Sequence, residues 1–211
     1  MAWNEWLNEK RFTLFRSAII QEQFIQCIID HTPRNGTILE AGFGFGTTTE
    51  LLRDLDFEIT GFDLEQVAVE KATHRYPHLQ NRLCVGDILD EQSYPNQYDT
   101  IIHQGVLEHF SDQDILRILY IQACSCNKII FDVPNSLRKN TDDEGDGTRF
   151  ETPEFWESIL KTAGLKFNRY GRTYDYGNEL LPKQLLRYNS DLMKRVGRSS
   201  IFVVEGMQNE L

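Results

Sequence analysis

Apolar and polar positions along the chain follow two different periods, and the two alternate from one end to the other. Between Phe12 and Ile29 the apolar residues recur three or four positions apart, which predicts an amphipathic helix. Shorter runs rich in branched and aromatic residues predict strands. These runs are residues 37–41, 58–63, 83–87, 98–103, 128–133, 165–171 and 200–206. Such alternation predicts an α/β fold, a doubly wound and mostly parallel sheet of seven strands with helices on both faces.

The predicted helices between the strands carry recognisable ends. The segment from Thr47 to Glu50 has the spacing of a capping box before Leu51 and Leu52, with Thr47 as the N-cap of a helix. A second helix is expected over residues 65–75, and a third begins near Ser111. Thr152, followed by proline, predicts the start of a fourth helix, which a glycine at position 164 would stop.

The chain of 211 residues fits a single α/β domain with a full core. Residues 1–32 are expected to form an N-terminal helix that caps the domain. Residues 173–197 are rich in leucine and tyrosine and separate the last two strands. We expect this insertion to form an extra helix over the binding site or at a subunit contact.

Composition and charge exclude several classes of protein. With 40% hydrophobic and 26% charged residues, the chain contains no apolar run near the roughly 18 residues of a membrane span. The acidic N-terminus does not resemble a secretory signal, so we expect a cytoplasmic protein. A net charge of −10 argues against a surface that follows a nucleic-acid backbone.

The candidate chemistry begins at the turn after the first strand. Gly42, Gly44 and Gly46 alternate strictly, and we expect the backbone here to turn sharply and to let a ligand lie against it. A dinucleotide loop, G-x-G-x-x-G, would need its third glycine where this chain has Thr47. Glu40 would repel a pyrophosphate, but it suits a loop anchor or a ligand that carries positive charge.

Two motifs resemble the class I S-adenosylmethionine-dependent methyltransferases. The segment Glu-Ala-Gly-Phe-Gly-Phe-Gly, residues 40–46, resembles the first signature of that family, and residues 36–171 are expected to form its cofactor-binding core. Val-Leu-Glu-His-Phe, residues 106–110, resembles a segment of the enzymes in the family that act on small molecules. The Asn/Asp-Pro-Pro-Tyr motif of the nucleic-acid and glutamine methylating enzymes is absent from the sequence.

The resemblance implies a Rossmann-like methyltransferase fold, S-adenosylmethionine as cofactor and S-adenosylhomocysteine as product. Asp63, at the end of the second strand, is the expected ribose ligand, and Glu65 is a substitute two residues further along. The pair Gly86 and Asp87 would bind the adenine, although an aspartate after a strand is also a common helix cap. The remaining expected cofactor contacts are Phe43 in the loop, Leu64 and Ile88 on the faces of the adenine, and His103 and Gln104 at the end of the fourth strand.

His109 is the candidate catalytic residue. Histidine has an unperturbed pKa near 6.5, so it accepts a proton near neutral pH, and His109 follows the fourth strand where an acceptor would approach. The competing interpretation is that His109 only packs at the start of the next helix.

The leading hypothesis is methyl transfer to an oxygen, nitrogen or carbon atom of a small molecule, without nucleic acid or membrane as a partner. The alternatives are an NAD-type oxidoreductase and a non-catalytic cofactor-binding or interaction module. We expect no metal site. Residues 142–147 imitate a calcium loop only in part, because the third position is Glu144 and the closing position is Pro153.

Overall fold

A computed structural model describes residues 14–136, 148–172 and 199–207. Over these residues the chain forms five α-helices and one sheet of seven strands. The helices are α1 (Leu14–His31), α2 (Thr47–Asp54), α3 (Gln66–Arg75), α4 (Asp112–Ser125) and α5 (Pro153–Thr162). The strands are β1 (Thr37–Ala41), β2 (Glu58–Asp63), β3 (Leu83–Val85), β4 (Tyr98–Gln104), β5 (Cys126–Pro134), β6 (Phe167–Arg172) and β7 (Ser199–Glu205). Short 3-10 turns lie at 77–79, 91–93 and 107–109.

The strands are ordered β3-β2-β1-β4-β5-β7-β6. The first five are parallel, and β7 runs antiparallel between β5 and β6. The predicted fold class is therefore confirmed, with the antiparallel hairpin at one edge. The carboxyl ends of β1, β2 and β4 meet at one edge of the sheet, so the predicted site residues that follow these strands are brought together.

Both faces of the sheet are buried, because successive side chains of a strand point to opposite faces. One face packs Ile38, Ile102, Ile130 and Val203 with Phe24 of α1. The other face packs their chain neighbours with α4 and α5. These neighbours are Leu39, Ile101, Ile129 and Val204.

Of the predicted helix N-caps, two are confirmed and one is wrong. Ser111 and Thr152 cap α4 and α5 through their hydroxyl oxygens, which accept the backbone N–H three residues later. The predicted capping box at Thr47 is wrong. Gly46 has φ 68° and is the N-cap itself, so α2 begins one residue early and Thr47 lies inside the helix. The Glu50 carboxylate instead accepts hydrogen bonds from Arg53 and His78.

The predicted boundaries change at several elements. The first helix, predicted over 12–29, is described from Leu14 and continues to His31. The third strand ends at Val85, because the residues after it leave the sheet, and β5 is longer than predicted at both ends. The residues before Leu14 and the proposed insertion 173–197 lie outside the described residues, so the domain boundaries stay predictions.

Candidate functional site

The loop between β1 and α2 turns through three glycines with positive φ, at 76°, 53° and 68° for Gly42, Gly44 and Gly46. A Cβ added to Gly42 would lie 2.9 Å from Cγ2 of Val106. A Cβ added to Gly46 would lie 3.0 Å from Cβ of Ala72, in α3. Gly46 therefore allows α3 to pack closely against the loop, and its contact with a ligand stays a prediction.

Asp63 lies where β2 ends and connects that strand to the glycine loop. Its Oδ2 accepts the backbone N–H of Gly44 at 2.9 Å, and its Oδ1 accepts that of Glu65 at 3.0 Å. Burial raises the pKa of this carboxyl, and the two backbone hydrogen bonds act in the opposite direction. A carboxylate oxygen can accept two hydrogen bonds, and each oxygen of Asp63 accepts one from the backbone. Both oxygens can therefore also accept a hydrogen bond from a ligand hydroxyl.

Glu40 is a carboxyl group inside the protein, 4% exposed, at the penultimate position of β1. The hydroxyl of Thr49 donates a hydrogen bond to its Oε2. The pKa of Glu40 is raised to about 8, mainly by burial and to a smaller extent by the nearby Asp63 carboxyl, while hydrogen bonds from the hydroxyls of Thr49 and Thr48 oppose the rise. A ligand cation nearby would favour the ionised form of Glu40.

The residues expected around an adenine lie at the ends of β2 and β3. Leu64 is 65% exposed, unusually open for a leucine, whereas Ile88 is buried. Asp87 is exposed, and its Oδ1 accepts the N–H of Leu89 at 2.9 Å while its own N–H donates to Ser93. The carboxylate thus closes a local turn but caps no helix, since the cap of the following 3-10 turn is Asp90.

His103 does not lie in the site as expected. Its side chain is fully buried and stacks on Phe131 with ring centroids 5.3 Å apart. Burial lowers the pKa of His103 to about 3, so the imidazole is neutral. Because side chains alternate along a strand, His103 faces the same side as Ile101, which is covered by α4 and α5. The structure therefore assigns this side chain to the core.

The structure places two polar residues that the sequence analysis missed, Gln21 and Asp132, in contact with Gln104. Gln104 donates a hydrogen bond from Nε2 to Oδ2 of Asp132, its parallel neighbour in β5, at 2.9 Å. Gln104 also accepts one at Oε1 from Nε2 of Gln21 at 2.9 Å, and Gln21 accepts the Thr48 hydroxyl at 3.1 Å. A carboxylate in the apolar strand Ile-Ile-Phe-Asp-Val was the available signal for Asp132. Gln21 gave no signal, because a glutamine in a helix usually faces solvent.

His109 ends the 3-10 turn Leu107–His109 and is half-buried. Arg149 donates two hydrogen bonds to backbone carbonyls in and after this turn. Its backbone N–H donates to the carbonyl of Glu108 at 3.0 Å, and its Nη1 donates to the carbonyl of Phe110 at 2.8 Å. Its guanidinium also forms an ion pair with Asp112 at 2.7 Å. The sequence gave no indication of this role for Arg149.

Within residues 14–136, 148–172 and 199–207, no three His, Cys, Asp or Glu side chains are grouped to hold a metal ion. In the same part of the chain, no helix combines the length and the apolar character needed to cross a membrane.

Comparison with known proteins agrees with this geometry. Residues 38–122 match the family model described as a methyltransferase domain. The matched segment contains the glycine loop, Asp63, Asp87 and His109. A comparison with curated proteins gives no match.

Solved structures resemble the chain over nearly its whole length. An S-adenosylmethionine-dependent methyltransferase from Archaeoglobus fulgidus has a TM-score of 0.69 at 12% identity and covers 97% of this chain and 100% of its own. Magnesium protoporphyrin IX methyltransferase from Synechocystis PCC 6803, solved with bound S-adenosylhomocysteine, has a TM-score of 0.69 at 16% identity and covers 97% and 92%. The CcbJ methyltransferase from Streptomyces caelestis has a TM-score of 0.65 at 12% identity and covers 87% and 88%.

At these identities the likeness is one of fold, the Rossmann-like methyltransferase fold. The domain match goes further, because it covers the loop and the acids around it. Together with the site geometry, these findings support an enzyme, a methyltransferase that uses S-adenosylmethionine. An NAD-type oxidoreductase is disfavoured, since the sheet continues after β5 with the antiparallel pair β7 and β6 instead of a second dinucleotide half.

Proposed function

We propose that this protein transfers the methyl group of S-adenosylmethionine to an oxygen, nitrogen or carbon atom of a small molecule. The observation that carries the proposal is the position of Asp63, whose carboxylate bonds the N–H of Gly44. This contact supports Asp63 as the ribose ligand, because it holds the carboxylate directly beside the glycine loop. The small-molecule acceptor is favoured by the net charge of −10 and by the Leu-Glu-His segment.

The residues at this edge fit the cofactor. Asp63 would accept the ribose hydroxyls, the open face of Leu64 would pack on the adenine, and Asp87 would accept a hydrogen bond from the adenine amine. Glu40 would favour the positively charged part of the cofactor, with Gln104 beside it. The backbone of Gly42, Phe43 and Gly44, and that of Gly86 and His103, would complete the contacts.

When bound, S-adenosylmethionine supplies a methyl group: an electron pair of the acceptor, a lone pair on oxygen or nitrogen or a π pair on carbon, forms the bond to the methyl carbon. The carbon–sulfur bond breaks with its electron pair on sulfur, leaving S-adenosylhomocysteine. The protein contributes mainly by orienting the acceptor, which supplies on the order of 7–11 kcal/mol in well-aligned reactions. His109 would take the proton that an oxygen or nitrogen acceptor loses.

A calorimetric comparison of S-adenosylhomocysteine with NADH tests the cofactor. We expect binding of the former alone, and tighter binding of NADH would overturn the proposal. A screen of methyl acceptors, followed by mass spectrometry of the products, then separates an enzyme from a non-catalytic module. Failure to methylate any acceptor despite cofactor binding would favour the module.

For His109→Ala we expect at least a tenfold loss of turnover with unchanged affinity for S-adenosylhomocysteine, because general bases typically contribute about 10²–10⁴-fold. The measurement is a steady-state assay with the acceptor found in the screen. His74→Ala, at an exposed position of α3, is the matched control. Full activity of His109→Ala with a lower Tm would make His109 a packing residue.

For the pH dependence, we expect the affinity for S-adenosylhomocysteine to rise between pH 6 and pH 8. The pKa of Glu40 is about 8 without ligand, and the ammonium group of the ligand favours the ionised carboxylate. Binding therefore releases a proton below that pKa, and a higher pH makes this release easier. Calorimetry in two buffers of different ionisation enthalpy measures the proton count. Glu40→Gln should remove the slope, whereas Glu65→Gln, at an exposed position, should retain it.

A further inference from the structure

Four side chains form a hydrogen-bond network at the edge of the sheet that carries the site, in the order Thr48, Gln21, Gln104 and Asp132. Its members come from α2, α1, β4 and β5. Gln21 is 9% exposed, and Thr48 and Asp132 are each 5% exposed. Water has little access to these three side chains, whereas Gln104, which joins Gln21 to Asp132, is half-buried.

Asp132 determines which group donates and which accepts in each hydrogen bond of this network. A carboxylate accepts hydrogen bonds, so the amide of Gln104 must turn its N–H₂ towards Asp132 and its oxygen towards Gln21. Gln21 must then turn its own N–H₂ towards Gln104 and its oxygen towards the hydroxyl of Thr48. The orientation of Gln104 is therefore determined at both ends of its amide.

Among the described residues, Gln21 is the only side chain of α1 in this hydrogen-bond network. The other side chains lie on elements that flank the glycine loop or continue the sheet beside it. Removing the amide of Gln21 would leave the oxygen of Gln104 without this donor. The Gln104 amide would then be held by one hydrogen bond to Asp132, about which it rotates.

We propose that Gln21 is a positioning residue for the cofactor site and acts through Gln104. The proposal rests on the proposed function, in which Gln104 lies beside the bound cofactor. It makes the docking of α1 and the binding of cofactor two coupled events, because both require the same orientation of one amide.

A double-mutant cycle on S-adenosylhomocysteine affinity tests this inference. Calorimetry would compare the wild type with Gln21→Met, Gln104→Ala and the double variant. Methionine keeps the length of the side chain and removes its hydrogen bonds without burying a charge. Gln26→Met is the matched control, since Gln26 lies on the exposed face of α1 and bonds only Asp30 among the described residues.

We expect Gln21→Met to weaken binding by roughly 3- to 30-fold, the range for one or two side-chain hydrogen bonds, and Gln26→Met to leave it unchanged. In the Gln104→Ala background, Gln21→Met should change affinity by less than about twofold, because its route to the site is already removed. Melting temperatures of all variants separate folding from binding.

Two results would overturn the inference. A full effect of Gln21→Met in the Gln104→Ala background would show that Gln21 acts on the ligand by another route. Wild-type affinity of Gln21→Met with a lower Tm would show that the hydrogen-bond network only stabilises the fold. Lack of binding by the wild type would contradict the proposed function itself, whereas normal binding by both wild type and Gln21→Met contradicts the inference alone.

Discussion

Gly44→Val is expected to weaken S-adenosylhomocysteine binding by at least about 100-fold, since a β-branched residue at positive φ costs of order 1–3 kcal/mol and the loop must also keep its hydrogen bond to Asp63. Gly44 has φ 53°, a region that valine avoids. The loop would relax from this conformation, its N–H would leave Asp63, and binding would have to restore both. Calorimetry measures the affinity, and circular dichroism measures the remaining fold.

The control for backbone strain is Gly164→Val. Gly164 has φ 70° and lies after α5, and an added Cβ would meet no atom within 4 Å. This variant should therefore lose stability to a similar strain and bind S-adenosylhomocysteine normally. Unchanged affinity of Gly44→Val would show that the loop is only a turn between β1 and α2.

Asp63→Ala is expected to weaken S-adenosylhomocysteine binding by about 1.5–3 kcal/mol, roughly 10- to 150-fold, because hydrogen bonds to a charged acceptor are worth that much. The structure adds a second cause. Asp63 also holds the N–H groups of Gly44 and Glu65, so its removal loosens the loop as well as the ribose contact. Calorimetry on the purified variant measures the loss.

Two further variants separate these causes. Asp63→Asn keeps one carbonyl oxygen for a backbone N–H and loses the charge, so its affinity should lie between that of the wild type and that of Asp63→Ala. Glu65→Ala removes an exposed acid two residues away and should bind normally. Normal binding by Asp63→Ala together with loss in Glu65→Ala would shift the ribose ligand to Glu65.

Part of the site could be predicted from sequence because it follows the chain locally. The order of strands and glycines places Asp63 and the loop at the carboxyl ends of β2 and β1, and the parallel sheet brings those ends together. The same local logic gave the caps of α4 and α5 at Ser111 and Thr152. It failed at Thr47, where the left-handed conformation of Gly46 started the helix one residue early.

The fold class and the position of the loop follow from the sequence alone, because periodicity, glycine spacing and strand ends are properties of neighbouring residues. Which polar side chains face the site and which face the core depends on how the strands and helices pack. His103 and Gln104 are adjacent in β4, yet the pleat sends one onto Phe131 and the other to Asp132 and Gln21. Gln104 is 83 residues from Gln21 and 28 from Asp132, so these partners become neighbours only when α1 packs on the folded sheet.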